Sequence, residues 1–199
     1  SPVVPQDIGH FPFQQETVGK QFMVRNAGQP HVLDRVTERP VSQVVQQCRH
    51  EEQLAITLHL VRARALADAA NQQAIRHYAE RYPNARLILA HAGRGFNPQH
   101  TIEGIGALKG LRNVWFDSSA VCEGGAYEAI IQTMGAERML YGSDFPVSLM
   151  RARPVAFGDS FLWVSGENTN FSAAYAEVAP ERAGLESLRV LKRACHHLR

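Results

Sequence analysis

The sequence has almost no excess of charge of either sign. Lysine and arginine total 21 against 19 aspartate and glutamate residues, which gives a formal charge of +2, and the charges are dispersed along the chain. A protein that neutralises nucleic-acid phosphates instead concentrates basic residues on one face or in one run. The composition therefore argues against nucleic acid as a partner.

Cysteine is scarce, and long apolar runs are absent. The three cysteines, Cys48, Cys122 and Cys195, lie far apart beside apolar residues and have no CxxC spacing. This pattern predicts buried free thiols and a reducing, cytoplasmic location. No apolar run approaches the ~18 residues of a membrane span, and the start SPVVPQDIGH lacks the features of a signal peptide. We therefore expect a soluble cytoplasmic protein with no membrane partner.

Four short apolar runs predict buried β-strands. The runs are Ala55 to Leu60 (AITLHL), Arg86 to His91 (RLILAH), Asn113 to Asp117 (NVWFD) and Arg138 to Gly142 (RMLYG). Segments with helical spacing separate them, and this regular alternation predicts parallel βα units. A weaker run from Gln21 to Asn26 (QFMVRN) predicts one more strand, before a helix over Val41 to Cys48.

Apolar stripes predict the buried faces of the later helices. The stripes are Ile102, Ile105 and Leu108; then Tyr127, Ile130, Ile131 and Met134; and, near the end of the chain, Leu188, Leu191, Cys195 and Leu198. Thr101 is the predicted N-cap of the first of these helices, and Gly135 the predicted end of the second. Residues 147–170, rich in Pro, Gly and Ser, are predicted to form an elaborated loop over one face.

Polar residues stand at the carboxyl ends of the predicted strands. His59 closes the first run, His91 the second and Asp117 the third, and Asp144 follows the fourth. Ligands bind at these ends in parallel α/β proteins, so we expect His59, His91 and Asp144 to converge. Neutral imidazoles and a carboxylate are the usual ligands of a catalytic divalent metal. A single histidine at a strand end can equally well be a cap, but matching positions in successive units indicate a site.

Two further residues have both a functional and a structural interpretation. Arg94 follows His91 by three residues and can hold a substrate carboxylate, or can simply be a solvated loop residue. Asp117 can orient His91 or cap the turn at Ser118 and Ser119. The sequence does not decide between these roles.

Two segments resemble motifs of a known family. Ile88 to Gly95 (ILAHAGRG) and Met139 to Pro146 (MLYGSDFP) resemble the sixth and eighth strand motifs of the amidohydrolase superfamily, in the branch that includes aminocarboxymuconate-semialdehyde decarboxylase. AITLHL resembles the fifth strand, NVWFDSS the seventh and QFMVRN the fourth. The resemblance implies an α/β fold of the parallel (β/α)8 TIM-barrel type, with only strands four to eight in this chain, as one partial domain over residues 1–199.

The resemblance also implies roles for the residues at the strand ends. His59 would be a metal ligand, and Asp144 a further ligand that also accepts a proton from water. His91 would be an acid–base residue, with metal binding as the alternative. The implied activity is hydrolysis of a C–N or C–O bond of a small molecule by metal-activated water, with zinc as the expected metal and manganese as the second choice.

One element of the family pattern is missing. The first strand of the family supplies a His-x-His pair to the metal, whereas this sequence contains no such pair and His10 does not match it. We therefore expect a piece of a longer protein, or a chain that forms a homo-oligomer or associates with the missing N-terminal portion. Two other functions stay open, a metal-dependent decarboxylase and a non-catalytic remnant of the fold. A phosphate-binding barrel is disfavoured because no Gly-rich phosphate loop is present.

Overall fold

The computed structural model describes residues 55–60, 63–166 and 180–198, together with the backbone of two short strands near the start of the chain. Within this part of the chain, a six-stranded sheet has the order β2-β1-β3-β4-β5-β6. Its strands are β1 Phe22–Arg25, β2 Arg35–Val36, β3 Ala55–Leu58, β4 Arg86–Leu89, β5 Val114–Asp117 and β6 Met139–Leu140.

The four strands β3 to β6 are parallel neighbours in chain order, as the sequence predicts. Their centre is almost fully buried, with Ile56, Leu87 and Phe116 at most 1% exposed. Alternate residues of each strand point into this core, because successive side chains of a strand face opposite sides of the sheet. The parallel arrangement places all four carboxyl ends at one edge.

The preceding strand does not continue this pattern. β1 pairs antiparallel with β3, in a register that joins Phe22 to Leu58 and Arg25 to Ala55. The expectation of a parallel βα unit is therefore wrong for QFMVRN, because a short apolar run carries no information about strand direction. Its assignment as barrel strand four stays unconfirmed. The helix predicted over Val41 to Cys48 lies outside the described residues.

Helices alternate with the parallel strands. The longer α-helices of the described residues are α1 Ala69–Arg81, α2 Pro98–Gly104, α3 Gly124–Met134 and α4 Ala183–His197. α3 follows its prediction: Tyr127 and Ile130 are buried, and the helix ends at Gly135, whose φ of 96° favours glycine. None of the helices in the described ranges is long and apolar enough to span a membrane.

The predicted start and stripe of α2 are wrong. The helix begins earlier than expected, because the side chain of Asn97 caps it and Pro98 occupies its first turn. Thr101 lies inside the helix, where its hydroxyl donates to the carbonyl of Ala92. Ile102 is 46% exposed, and only Ile105 and Leu108 of the predicted stripe are buried.

The predicted face of α4 is also wrong. The buried positions are Ala183, Ser187, Val190 and Ala194, and the last three each lie one position before a residue of the predicted stripe. A hydrophobicity pattern does not reveal this face, because Ser187 is polar. Its burial is possible because its hydroxyl donates to the carbonyl of Ser118 and pairs with Tyr127. Cys195 is consequently exposed, which corrects the expectation of a buried thiol, whereas Cys122 is buried as expected. Cys48 lies outside the described residues.

The segment predicted as a loop after Pro146 contains an antiparallel hairpin. Strands β7 Ala152–Phe157 and β8 Ser160–Ser165 form it, and residues 167–170 are not described. The amide of Asn97 donates to the carbonyls of Gly158 and Ser160, at 3.0 Å each. These bonds fasten the tip of the hairpin to the start of α2.

Candidate active site at the carboxyl edge of the sheet

The structure brings the three predicted site residues together. The rings of His59 and His91 lie 5.0 Å apart, centroid to centroid, in an edge-on arrangement. Nδ1 of His91 lies 3.8 Å from Oδ2 of Asp144. The cluster follows from the parallel strands, since His59, His91 and Asp144 come after β3, β4 and β6.

His91 lies in an unusual left-handed turn directly after β4. Four consecutive residues from His91 to Arg94 have positive φ, with 56°, 52°, 71° and 61°. Only Gly93 among them adopts this region without strain, and consecutive left-handed residues are rare. Backbone strain of this kind persists only where neighbouring contacts hold it, and it is concentrated at functional sites.

Asp117 supplies such a contact. Its Oδ1 accepts the backbone N–H of His91 at 2.8 Å and the backbone N–H of Ser119 at 3.0 Å. The hydroxyl of Ser119 donates to the same oxygen. Nδ1 of the His91 ring lies 3.0 Å from the carbonyl oxygen of Ser119. Asp117 therefore both contacts His91 and caps the following turn, so the two roles that the sequence left open coexist.

Asp144 approaches this cluster from the loop after β6. It also has a positive φ, 53°, and its side chain is 29% exposed, so water can reach the carboxylate. Gly142 permits the approach: a Cβ there would overlap the Ser119 hydroxyl and lie 3.2 Å from Cβ and Cγ of Asp117. A side chain at position 142 would push the loop away from β5.

The surroundings of His59 favour the neutral form of its imidazole. Burial lowers the pKa of its imidazole, and the neighbouring His91 lowers it further, whereas Asp117 and Asp144 raise it by smaller amounts. Desolvation penalises the charged imidazolium, which explains the direction. A neutral imidazole has a lone pair available for a metal or a proton.

Arg94 lies on the hairpin side of the cluster. Its Nη1 donates to the carbonyl of Leu60 at 3.3 Å, and its guanidinium lies 5.9 Å from the ring centroid of Phe161. Burial lowers the pKa of Arg94, but a guanidinium stays protonated in proteins. The site therefore includes one partly buried positive charge.

Aromatic residues that the sequence reasoning missed form a wall beside His91. The ring of Phe96 lies 5.0 Å from that of His91, 4.8 Å from Phe161 and 5.9 Å from Trp163. Phe161 and Trp163 are two positions apart on β8, so their side chains face the same side of the hairpin. The run of four apolar, β-prone residues in SFLWVS could have predicted this strand, had the segment not been assigned as a loop because of its flanking Gly, Pro and Ser.

The donor atoms fit a divalent metal in their chemistry, though not in number. His59 and Asp144 offer a neutral imidazole and a carboxylate, which are common ligands of zinc. Within the described ranges, however, no group of three or more His, Cys, Asp or Glu side chains is arranged to hold a metal ion. Within the described residues, His59 and Asp144 are thus two possible ligands, fewer than a metal site needs.

These features define an α/β protein with a polar site at the carboxyl edge of its parallel sheet, the edge where barrels of the TIM type have their active sites. The model of the amidohydrolase family matches residues 25–165. The chain therefore belongs to the amidohydrolase family, which consists of hydrolase-type enzymes that generally use divalent metals. No curated protein gives a significant match to the sequence.

Proposed function

We propose that this protein is a metal-dependent hydrolase that cleaves a C–N or C–O bond of a small molecule. The convergence of His59, His91 and Asp144 at one edge of the sheet supports this proposal most directly. An imidazole pair beside a carboxylate is a set of groups that can bind a metal and move protons.

His59 and Asp144 would hold the metal, which we propose to be zinc, with manganese as the second choice. A divalent metal lowers the pKa of a bound water to about 7, and so supplies a nucleophile at neutral pH. The burial that lowers the pKa of His59 supports its role as a ligand, because it favours the neutral imidazole and a protonated one cannot bind a cation.

The neighbouring groups would transfer protons. Asp144 is close enough to solvent to accept a proton from water, and His91 lies beside it as an acid–base residue. The Ser119 carbonyl and the Phe96 ring hold the His91 ring in place. A fixed imidazole next to a carboxylate can deliver a proton to a leaving group without a large change in geometry.

Arg94 and the aromatic wall would bind the substrate. A guanidinium beside Phe161 suits a carboxylate on a planar or apolar molecule. The same feature supports decarboxylation of an acid substrate as a second candidate reaction, because the positive charge would hold the substrate by its carboxylate in either case. The narrower resemblance to the aminocarboxymuconate-semialdehyde decarboxylase branch is part of this second proposal.

An assay for both reactions tests the proposal. The protein would be incubated with Zn²⁺ or Mn²⁺ and a panel of small carboxylate-bearing amides, esters and lactones, with products and CO₂ followed by mass spectrometry. We expect turnover that is lost in His59→Gln and Asp144→Asn and retained in His77→Gln, a change at an exposed position of α1. Turnover that survives Asp144→Asn would rule out this site, and complete inactivity would favour the non-catalytic remnant.

We also propose that the protein is cytoplasmic and associates with a second copy or with a segment that completes the barrel. Exposed apolar residues around β6 support association; they are Leu140, Tyr141, Phe145, Leu149 and Met150. Among the described strands, β6 pairs with β5 alone. An apolar strand with an open edge favours pairing with another chain. Light scattering after size-exclusion chromatography would measure the mass, and a monomer at all concentrations would contradict self-association.

A further inference from the structure

Asp117 bonds both to the backbone of His91 and to Ser119, the residue whose carbonyl faces the His91 ring. It accepts the N–H of His91, which holds the backbone in the left-handed turn, and it accepts both donors of Ser119. The carbonyl of that same Ser119 faces Nδ1 of His91 at 3.0 Å. One carboxylate therefore fixes the backbone of His91 and the carbonyl against which the ring rests.

The partner of Nδ1 determines the position of the ring proton. A carbonyl oxygen only accepts hydrogen bonds, so a neutral imidazole that bonds to it must have its proton on Nδ1. Nε2 then retains its lone pair. The nitrogen available for substrate, water or metal is thus decided by the group that the other ring nitrogen contacts.

We propose that Asp117 is a positioning residue, which holds Ser119 against His91 and thereby keeps the His91 proton on Nδ1 and the lone pair on Nε2. The functional meaning of this tautomer rests on the proposed function of His91. The tautomer itself is inferred from the hydrogen bonds alone. A purely structural role for Asp117, as the cap of the turn at Ser119, would not require a single tautomer of His91.

The tautomer can be observed directly by NMR. The nitrogen shifts of the imidazoles would be recorded on protein labelled with ¹⁵N at histidine, at about pH 8 and without added metal, where imidazoles are largely neutral. The signal missing in His91→Gln identifies the residue. We expect the Nδ1–H form to predominate in the unchanged protein and to lose its predominance in Asp117→Ala.

Two variants separate positioning from general damage. Asp117→Asn keeps an acceptor oxygen of the same shape, so it should retain more of the Nδ1–H form than alanine does, and it provides a milder test if Asp117→Ala fails to fold. Asp68→Ala is the matched control, because Asp68 also accepts two backbone N–H groups, those of Ala70 and Asn71, but at the start of α1. It should leave the His91 signals unchanged.

The proposal is overturned if the Nε2–H form predominates in the unchanged protein, if Asp117→Ala leaves the tautomer unaltered, or if Asp68→Ala shifts it equally. Zn²⁺ titration of the same samples tests the proposed function separately. A fixed tautomer without any metal binding would retain the positioning role of Asp117 and remove the metal-dependent reaction.

Discussion

Nδ1 of His91 lies 3.8 Å from Oδ2 of Asp144, although the two residues follow strands that are not neighbours. β5 lies between β4 and β6, so the loops after the outer two strands must both lean over its end. Asp117 and Ser119 occupy that end, and the loop with Asp144 passes them at Gly142. The absence of a side chain at Gly142 is therefore a condition for the site.

Gly142→Ala should destabilise the protein by about 1–3 kcal/mol, the usual cost of forcing a methyl group into a packed region. The added Cβ would overlap the Ser119 hydroxyl. Urea unfolding measures the change. Gly106→Ala is the control, because its Cβ would meet no atom within 4 Å and the substitution should therefore not destabilise the protein. Equal effects of the two substitutions would refute the close-approach argument.

Asn97→Ser should loosen the β7–β8 hairpin while sparing α2. Serine is a good N-cap but is too short to reach the carbonyls of Gly158 and Ser160, which Asn97 now contacts. Hydrogen exchange followed by mass spectrometry should show faster exchange over 152–165 and unchanged exchange over 98–104. Unaltered exchange in the hairpin would mean that the aromatic contacts with Phe96 hold it without Asn97.

The cysteines should differ sharply in reactivity. Cys122 is buried, and burial raises the pKa of its thiol to about 12, so almost no thiolate forms near neutral pH. Cys195 is exposed on α4. Brief alkylation with iodoacetamide at about pH 8, with peptide mass spectrometry, should modify Cys195 and spare Cys122 until the protein is unfolded. Rapid modification of native Cys122 would contradict the structure.

Asp159 should make a small acid-sensitive contribution to stability. The hydrogen bond from His100, together with the charge of Arg64, lowers the pKa of this carboxyl group. Because this pKa is lower in the folded state, the carboxylate stabilises the folded protein at pH values above its ordinary pKa of ~3.9. This stabilisation is lost as the pH falls through the pKa of the folded state. Solvent screening keeps it small, because the side chain is 66% exposed.

A comparison with Asp159→Asn tests whether the Asp159 carboxylate stabilises or destabilises the folded protein. Urea midpoints of both proteins between about pH 5 and pH 3 should converge as the pH falls, because the protonated aspartate resembles asparagine in charge. An Asp159→Asn protein that is the more stable of the two at about pH 5 would show that the carboxylate destabilises the fold.

The parallel core and the location of the site could be predicted from the sequence because both depend on local patterns. β3 to β6 are short apolar runs, and a polar residue at the end of each parallel strand must come to the same edge. α3 also followed its pattern, since Tyr127 and Ile130 are apolar and Gly135 ends the helix by its backbone conformation.

The rest depended on contacts between distant residues. Ser187 is buried because Tyr127 and Ser118 satisfy its hydroxyl, which no hydrophobicity pattern reveals. Asn97 starts α2 while also fastening a hairpin far along the chain. The antiparallel direction of β1 and the left-handed turn at His91 are likewise set by their neighbours, β3 and Asp117.

Zn²⁺ binding tests the central claim, that His59 and Asp144 are ligands of a divalent metal, most directly. Isothermal titration of the unchanged protein, His59→Gln, Asp144→Asn and the control His77→Gln gives the affinities. We predict weak binding, because no His-x-His pair occurs in the sequence and the described residues offer only part of a ligand set. His59→Gln and Asp144→Asn should each lower the affinity at least about tenfold, and His77→Gln should not change it. Tight, stoichiometric binding that neither His59→Gln nor Asp144→Asn weakens would contradict the account.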